Sequence, residues 1–187
     1  RRTARKTWRY YEAFVTEADS WLPPDNFQEA PEPIVARRTS PTNIGMTLLS
    51  TLAAHDLGYL TTDALARRID STLTTLEGLE RYDGHFLNWY DTATLAPLHP
   101  RYISTVDSGN LAAALVALAQ GLLAITGNPQ SRRQRLQGFV DTADLREAAQ
   151  ERHLCLARRH RILGKLVAEI REREVEPLGQ RLGARER

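Results

Sequence analysis

The sequence predicts an all-α fold, built as a partial α/α toroid in which inner and outer helices alternate. Apolar residues recur at steps of three and four in several segments, which is the spacing of one helix face. Two segments are instead apolar around most of their circumference, as helices covered on both sides are. No stretch of useful length alternates polar and apolar residues as a strand would. The order of inner helix, outer helix, long loop and inner helix is that of an α/α toroid.

The length limits how much of such a fold the chain holds. At 187 residues with 42% hydrophobic content, it can bury a sizeable core and form one domain or part of one. A closed toroid of six hairpins needs more chain, so we expect a partial one. The formal net charge of +2 is too small to indicate a nucleic-acid partner.

The first helix is predicted over residues 3–18, because Trp8, Tyr11, Phe14 and Val15 share one apolar face. Four prolines then argue against helix across residues 22–34, since proline lacks the amide donor and restricts the residue before it. We therefore expect an ordered loop between the first helix and the second.

The second helix is predicted as an inner one over residues 41–57. Ser40 is a suitable N-cap, Pro41 is favoured at the first helical position, and Gly58 ends the apolar pattern. The segment is apolar over most of its circumference, so it is expected to be covered on both sides.

An outer helix and a second inner helix follow. Thr61 or Thr62 caps an amphipathic helix whose apolar positions continue through Tyr82. A loop over residues 83–107 then leads to the second inner helix, whose apolar core is residues 111–119. The apolar run over residues 111–125 is interrupted by polar positions and is shorter than the roughly 20 residues that span a bilayer. We expect a buried core helix and no membrane span in this segment.

The composition changes near residue 128. Residues 1–128 are interpreted as part of the toroid, and residues 129–187 as a charged helical tail or a divergent continuation of it. The tail is rich in arginine, but interspersed glutamates neutralise most of that charge. It is therefore interpreted as a solvated helical surface rather than as a phosphate-binding patch.

Several classes of site are excluded by the residues present. The single cysteine, Cys155, cannot form an internal disulfide or a multi-thiolate metal site, and the histidines are scattered. The sequence has no phosphate-binding loop, dinucleotide fingerprint, nucleophile elbow or metalloprotease motif. Its basic opening, Arg1-Arg-Thr-Ala-Arg-Lys6, lacks the apolar core of a signal peptide. We expect a segment without metal, cofactor or signal peptide.

The loops that precede the inner helices carry the candidate site. In a toroid these loops open at one mouth, where indole faces can cover a sugar ring and amides or carboxylates can bond its hydroxyls. The clusters therefore indicate carbohydrate binding. The candidate platforms and hydroxyl partners are Trp21, Asp25, Asn26, Phe27, Gln28, Asn43, Asn88, Trp89, Tyr90, Asp91, Asp107 and Asn110.

Each candidate also has a structural interpretation. Trp21, Phe27 and Trp89 can instead plug the end of the toroid. Asp107, with the serine after it, can cap the following helix, and the Asn43 amide can satisfy the first turn of the inner helix. These alternatives stay open from the sequence alone.

The loop carboxylates do not identify a catalytic pair. Glycoside cleavage requires two carboxyl groups at defined separations, and sequence spacing does not measure them. The loop carboxylates are interpreted as binding or capping residues rather than as catalytic ones. They are Asp25, Glu29, Asp91 and Asp107. The catalytic residues are therefore left unassigned.

Five motifs in fixed order carry a family resemblance over residues 3–120. They are Thr7-Trp-Arg-Tyr-Tyr-Glu12, Trp21-Leu-Pro-Pro-Asp-Asn-Phe-Gln-Glu29, Arg38-Thr-Ser-Pro-Thr-Asn-Ile-Gly45, Gly84-His-Phe-Leu-Asn-Trp-Tyr-Asp91 and Ser104-Thr-Val-Asp-Ser-Gly-Asn-Leu111. Together they resemble the central, glucoamylase-like region of bacterial cyclic β-1,2-glucan synthases. The resemblance implies a partial (α/α)6 toroid.

The resemblance also implies a function for a larger parent. Such synthases are large inner-membrane enzymes that use UDP-glucose, and their central region resembles a transglycosylase that closes linear β-1,2-glucan into a ring. The implied partners of this segment are β-1,2-glucan and the remainder of the synthase, and the segment itself is expected to be soluble.

The chain is shorter than the region it resembles, so we expect a fragment that lacks the catalytic pair. An incomplete toroid is also expected to expose apolar inner-helix surface and to self-associate. Two alternatives stay open: a fragment of a related β-glucan hydrolase or phosphorylase, and a non-catalytic helical module whose tail docks a partner helix.

Overall fold

The computed structural model describes residues 1–150, 161 and 164. Arg1–Thr142 form one compact unit, which contains every feature discussed below. Its helices are α1 (Arg2–Phe14), α2 (Pro41–Asp56), α3 (Thr62–Gly78) and α4 (Thr105–Gly127), followed by helical residues 132–142. Its short strands are β1 (Phe27–Gln28), β2 (Ile34–Val35), β3 (Arg38–Thr39), β4 (Arg81–Tyr82), β5 (His85–Phe86) and β6 (Tyr90–Asp91). Residues 143–150 are helical as well, the tail beyond residue 150 lies outside the described residues except for positions 161 and 164, and the predicted boundary at residue 128 stays a prediction.

Helix α2 is the central element of this unit, because α1, α3 and α4 all pack against it. The hydroxyl of Ser40 accepts a hydrogen bond from the Asn43 backbone N–H at 3.3 Å, which confirms the predicted cap. Gly58 adopts a φ of +84°, and a Cβ there would lie 2.1 Å from the Gln134 backbone oxygen. The predicted glycine stop is therefore both a conformational and a packing requirement.

Helices α2 and α4 run parallel and in close contact. A Cβ on Gly45 would lie 2.9 Å from Cβ of Ala114, and a Cβ on Gly121 would lie 2.3 Å from the Leu52 side chain. Both contacts advance by seven residues along each helix, so the two helices point the same way. Parallel inner helices place their N-termini, and the loops that feed them, at the same end.

Helix α3 is amphipathic, as predicted, but ends earlier. Thr61 caps it by accepting a hydrogen bond from the Ala64 N–H at 3.2 Å. The helix stops at Gly78, because β4 pairs with β5 in a hairpin whose turn residues, Asp83 and Gly84, have positive φ. Tyr82 lies in that hairpin and is 67% exposed, so its inclusion in the apolar helix face was wrong.

The first helix is also shorter than the sequence predicts. It ends at Phe14, and a single 3-10 turn over Glu17–Asp19 follows. The loop after it contains the β1–β2 pair, in which Phe27 lies opposite Val35 and Gln28 opposite Ile34. Strands of two residues are too short to produce the alternation by which a strand is recognised in a sequence.

Helix α4 differs most from its prediction. It begins at Thr105 with Ser104 as its cap, so neither Asp107 nor Ser108 is the capping residue. It is 23 residues long, and its most apolar 18-residue window has a mean hydropathy of 1.7, so it is long and apolar enough to cross a membrane by length and composition alone. The helix is thus longer than the apolar run of residues 111–125 from which no span was predicted, and the absence of a span stays a prediction.

Helix α4 is also not the buried core helix that the sequence predicts. Only 17% of its most apolar window is buried. Leu111, Ala114 and Leu118 face α2 and are buried, whereas Val116 and Leu123 are 67% and 63% exposed. One apolar face is covered in this unit, and another is open to solvent.

Candidate functional site

The loops before α2 and α4 are joined at the shared end of these helices. Strand β3, just before α2, pairs antiparallel with β6 in the loop that leads to α4. In this register Arg38 lies opposite Asp91 and Thr39 opposite Tyr90. Thr39 is fully buried, and Ser40 starts α2 directly after it. The β3–β6 pair therefore fixes the two polar loops against each other at the helix N-termini.

One end of the site is built around the Asp25 carboxylate. Arg38 donates to Oδ2 of Asp25 from Nη2 at 3.0 Å and from Nε at 3.2 Å. Asn26 donates to the same oxygen at 3.2 Å, and Asn43 makes a longer contact of 3.4 Å to Oδ1. The Asn43 side chain thus points to Asp25 and not to the first turn of α2. These contacts hold Asp25 in one orientation, with its side chain 22% exposed.

Trp89 lies next to this carboxylate group. Cζ of Arg38 is 4.9 Å from the centroid of the Trp89 ring, within the range of a cation–π contact. The indole is half-buried, and its N–H donates to the side-chain oxygen of Asn88. Trp89 therefore contacts both ends of the site, through its face at Arg38 and through its edge at Asn88.

The other end is built around Asp107, in the first turn of α4. The Thr42 hydroxyl donates to Oδ1 of Asp107, and Asn110 donates to the Thr42 hydroxyl at 3.1 Å. Asn88, with its amide in the orientation that satisfies its neighbours, donates to Oδ2 of Asp107 at 3.1 Å and accepts from the Tyr102 hydroxyl at 2.7 Å. Asp107 is held from both helices and from the intervening loop.

These contacts form one continuous polar cluster. The chain of contacts runs from Asp25 through Arg38, Trp89, Asn88 and Asp107 to Thr42, which is adjacent to Asn43 and so returns to Asp25. We call this set of residues the cleft cluster. Its members are Asp25, Arg38, Thr42, Asn43, Asn88, Trp89, Asp107 and Asn110.

A cavity of about 310 Å³ opens beside Asp25. The Tyr10 hydroxyl donates to the Pro24 carbonyl at 2.7 Å on its wall. Burial raises the pKa of Tyr10 to about 12, with smaller effects from Tyr11 and Asp25, so this tyrosine stays neutral at ordinary pH. The lining combines polar and apolar groups, as a sugar site does. It consists of Tyr10, Tyr11, Pro23, Pro24, Asp25, Asn26, Phe27, Asn43 and Met46.

A second cavity, of about 350 Å³, lies between α1 and the C-terminal half of α2. Its walls are mainly apolar, with Trp8 and Tyr59 as the aromatic members and no charged side chain. It shares no residue with the cleft cluster. The lining of this second cavity includes hydroxyl groups but no carboxylate or amide side chain, so the cavity beside Asp25 is the better candidate for a polyol.

The electrostatics indicate binding rather than acid catalysis. Burial raises the pKa of Asp107, but hydrogen bonds from Ser104 and Thr42 outweigh that effect and lower the pKa overall. The backbone N–H of Thr94, with the Thr94 hydroxyl and the Ala93 N–H, lowers the pKa of Asp91 against a burial effect that raises it. Both carboxyl groups are ionised near neutral pH, so neither holds the proton that a general acid must donate.

Several predicted residues lie outside the cleft cluster. The Tyr90 side chain is fully buried, and its hydroxyl donates to the Glu80 carbonyl at 2.7 Å and accepts from the Leu87 N–H at 2.7 Å. Its assignment as a sugar platform was therefore wrong, since its ring meets only protein. Asp91 accepts from Ala93 and Thr94 and forms a local turn. Its side chain serves that turn in this structure.

Trp21 lies apart from the cluster as well. The Arg68 guanidinium lies between the rings of Trp8 and Trp21, at 5.3 Å and 5.6 Å. The Trp21 carbonyl accepts a hydrogen bond from Thr72 on α3. Gln28 is exposed in β1, so it stands at the edge of the cavity region and not in the cluster.

Sequence reasoning missed four polar members of the site. Arg38 and Thr42 stand within a motif that it quoted, but their partners depend on the β3–β6 register and on the α2–α4 approach. Tyr10 lies on α1, and the spacing of apolar residues along that helix does not predict what its hydroxyl contacts. Tyr102 precedes α4 by three residues and reaches the site only through Asn88.

Comparison with known proteins places the chain in a family. The family described as a protein of unknown function, DUF3131, matches residues 2–130. The chain is 46% identical over 153 residues to cyclic beta-(1,2)-glucan synthase NdvB of Rhizobium meliloti, which covers 81% of this chain. The match spans 5% of that protein's length, so the relative is far longer. The suspected resemblance to this class of synthase is confirmed at the level of sequence.

Two solved structures share the fold. A glucoamylase-like protein from Bacteroides caccae superposes with a TM-score of 0.52 and 20% identity, covering 74% of this chain and 34% of that one. One from Bacteroides fragilis superposes with a TM-score of 0.50 and 20% identity, covering 75% and 33%. Glucoamylase-like proteins are (α/α)6 toroids, so the predicted fold class is confirmed. The chain spans about a third of the length of these structures.

Proposed function

This chain belongs to the DUF3131 family, and from that premise we propose that it forms part of a glucan-binding cleft in a larger glucan-processing enzyme. The observation that carries the proposal is the cleft cluster. It brings motif residues from two loops and from the first turns of α2 and α4 into one contact network at the shared end of these helices. The identity to a glucan synthase supports glucan as the class of ligand.

The chemistry of the cluster suits a neutral polysaccharide. Ionised carboxylates and side-chain amides can accept and donate hydrogen bonds to sugar hydroxyls, and an indole can cover the apolar face of a pyranose. The Asp25 charge is paired with Arg38, so the site carries no large excess of either sign. A charged sugar phosphate would not be favoured over a neutral glucan.

The finer assignment is to linear β-1,2-glucan, bound for transglycosylation and ring closure by the larger enzyme. This segment binds the glucan, and the remainder of that enzyme supplies the catalytic pair. The lowered pKa values of Asp91 and Asp107 support assigning the general acid to the remainder of that enzyme, since an ionised carboxyl group does not protonate a leaving group. Glucan cleavage or ring formation by this chain alone would contradict it.

Binding is tested by titrating the purified chain with linear β-1,2-glucan and following tryptophan fluorescence. We expect saturable quenching that is abolished by Trp89→Phe and retained in Trp21→Phe, because only Trp89 belongs to the cleft cluster. Linear β-1,3-glucan is the control ligand and should quench less. A folded chain that responds to neither glucan, or equally to both, would contradict the proposed ligand.

A further inference from the structure

We propose that Arg38 is a positioning residue that couples the Asp25 carboxylate to the Trp89 indole, so that both groups engage a glucan as one unit. This inference rests on the proposed function for its ligand. The coupling itself is a property of the ligand-free chain. It is carried by the two contacts that one guanidinium makes.

The first contact fixes the guanidinium to Asp25. Nε and Nη2 of Arg38 both donate to Oδ2 of Asp25, at 3.2 and 3.0 Å. Two donors on one oxygen restrict the rotation of both side chains more than a single bond would. The remaining N–H groups of Arg38 have no partner among the described residues, so they are available to a ligand hydroxyl.

The second contact fixes the guanidinium to Trp89. Its Cζ lies 4.9 Å from the ring centroid, which places the planar group over the indole. No hydrogen bond joins Asp25 and Trp89 directly in the described part of the chain. Arg38 therefore provides the shortest connection between them, because it contacts both, whereas the other path runs through Asn43, Thr42, Asp107 and Asn88.

The backbone supports this placement. Arg38 belongs to β3, where it lies opposite Asp91, and the next residue, Thr39, is fully buried. Alternation along the strand turns Arg38 outward, with its side chain 52% exposed. An ion pair this exposed adds little to stability, so its removal is expected to leave the fold intact.

Arg37 provides a matched control. It also pairs with an aspartate, Asp19, and its side chain is 54% exposed. It makes no contact with Trp89. A substitution there removes the ion pair of a similarly exposed arginine, whose aspartate partner is more buried than Asp25, and leaves both contacts of Arg38 in place.

The coupling is tested first without ligand. Emission from Trp89 is isolated as the difference between each chain and its Trp89→Phe version. Asp25→Asn should shift this emission when Arg38 is present, because the guanidinium loses its anchor, and should leave it unchanged in an Arg38→Met chain. Arg37→Met should leave the Asp25→Asn shift in place. No shift with Arg38 present, or the same shift in the Arg38→Met chain, would overturn the proposal.

The second test measures glucan affinity by calorimetry in a double-mutant cycle. The effects of Asp25→Asn and Trp89→Phe on Kd should deviate from multiplicativity by about threefold or more with Arg38 present. In the Arg38→Met background, the effects of these two substitutions on Kd should simply multiply. Multiplicative effects with Arg38 present would overturn the role in binding. If the unsubstituted chain binds no glucan, the proposed function fails, and the ligand-free emission test still decides whether Arg38 couples the two groups.

Discussion

At Asp107, burial and hydrogen bonding act in opposite directions on the same carboxyl group. Desolvation raises its pKa, while Ser104 and Thr42 lower it by more, so the folded pKa lies below the ordinary value of 3.8. A depressed carboxyl pKa contributes stability above that ordinary value, and the contribution is lost as the pH falls through the folded pKa. The Asp107 carboxylate, which holds Thr42 and Asn88 in the site, therefore also makes the stability of the fold sensitive to acid.

Asp107→Asn should therefore flatten the acid side of the stability profile. The free energy of unfolding, measured with urea between about pH 2 and pH 6, should fall less steeply in the variant than in the unsubstituted chain. Asp70→Asn, at an exposed position on α3, is the control and should keep the original slope. An unchanged slope in Asp107→Asn would contradict the role given to its hydrogen bonds.

The alkaline side of the profile is set partly by Tyr10. Burial raises its pKa from 10.0 to about 12. A raised pKa contributes stability that is fully present below pH 10 and is lost as the pH rises towards about 12. Tyr10→Phe should lose less stability than the unsubstituted chain over this interval in urea unfolding. Tyr82→Phe, at a position 67% exposed, should behave as the unsubstituted chain does.

At the scale of elements, the approach of α2 to α4 determines whether the site exists. Gly45 is the residue that permits it, since a Cβ there would lie 2.9 Å from Cβ of Ala114 and 3.4 Å from Cα of Leu111. Thr42 and Asp107 meet only because the two N-termini are this close. Packing between helices and chemistry at their ends are therefore linked.

Gly45→Val should destabilise the chain by about 1 to 3 kcal/mol through overpacking, and it should weaken glucan binding as Thr42 moves away from Asp107. Gly109→Ala is the matched control on α4, because a Cβ there meets nothing within 4 Å. That variant should be stabilised by up to about 1 kcal/mol from helix propensity. Urea unfolding measures both, and a Gly45→Val chain as stable as Gly109→Ala would contradict the close approach.

The same elements show what the sequence could predict. The starts of α2 and α3 were predictable, because Ser40 and Thr61 cap them through local hydrogen bonds. The start of α4 was not, since its first turns are polar and were interpreted as loop. The pairing of Asp25 with Arg38 was also unpredictable, because it depends on the two-residue β1–β2 pair, which leaves no periodic signal.

At the scale of the whole molecule, α4 presents an open apolar face. Val116 and Leu123 are separated by seven residues, lie on the same side of the helix, and are 67% and 63% exposed. Apolar surface of this kind drives association in water. The predicted self-association thus has a defined location.

Val116→Lys with Leu123→Lys should lower the tendency of the chain to associate. Sedimentation over a range of concentrations should show a smaller average mass for the double variant than for the unsubstituted chain. Thr74→Lys, an exposed position on α3, is the control for added charge. An unsubstituted chain that stays monomeric at every concentration would contradict this prediction.

The assignment of the cleft cluster as a glucan-binding site is best tested by NMR, with the three tryptophan indole N–H resonances recorded during titration with linear β-1,2-glucan. We expect the Trp89 resonance to shift and saturate while those of Trp8 and Trp21 stay in place, since only Trp89 belongs to the cleft cluster. A folded chain in which Trp89 does not respond, or in which all three resonances move together, would contradict the assignment of this cluster as a glucan-binding site.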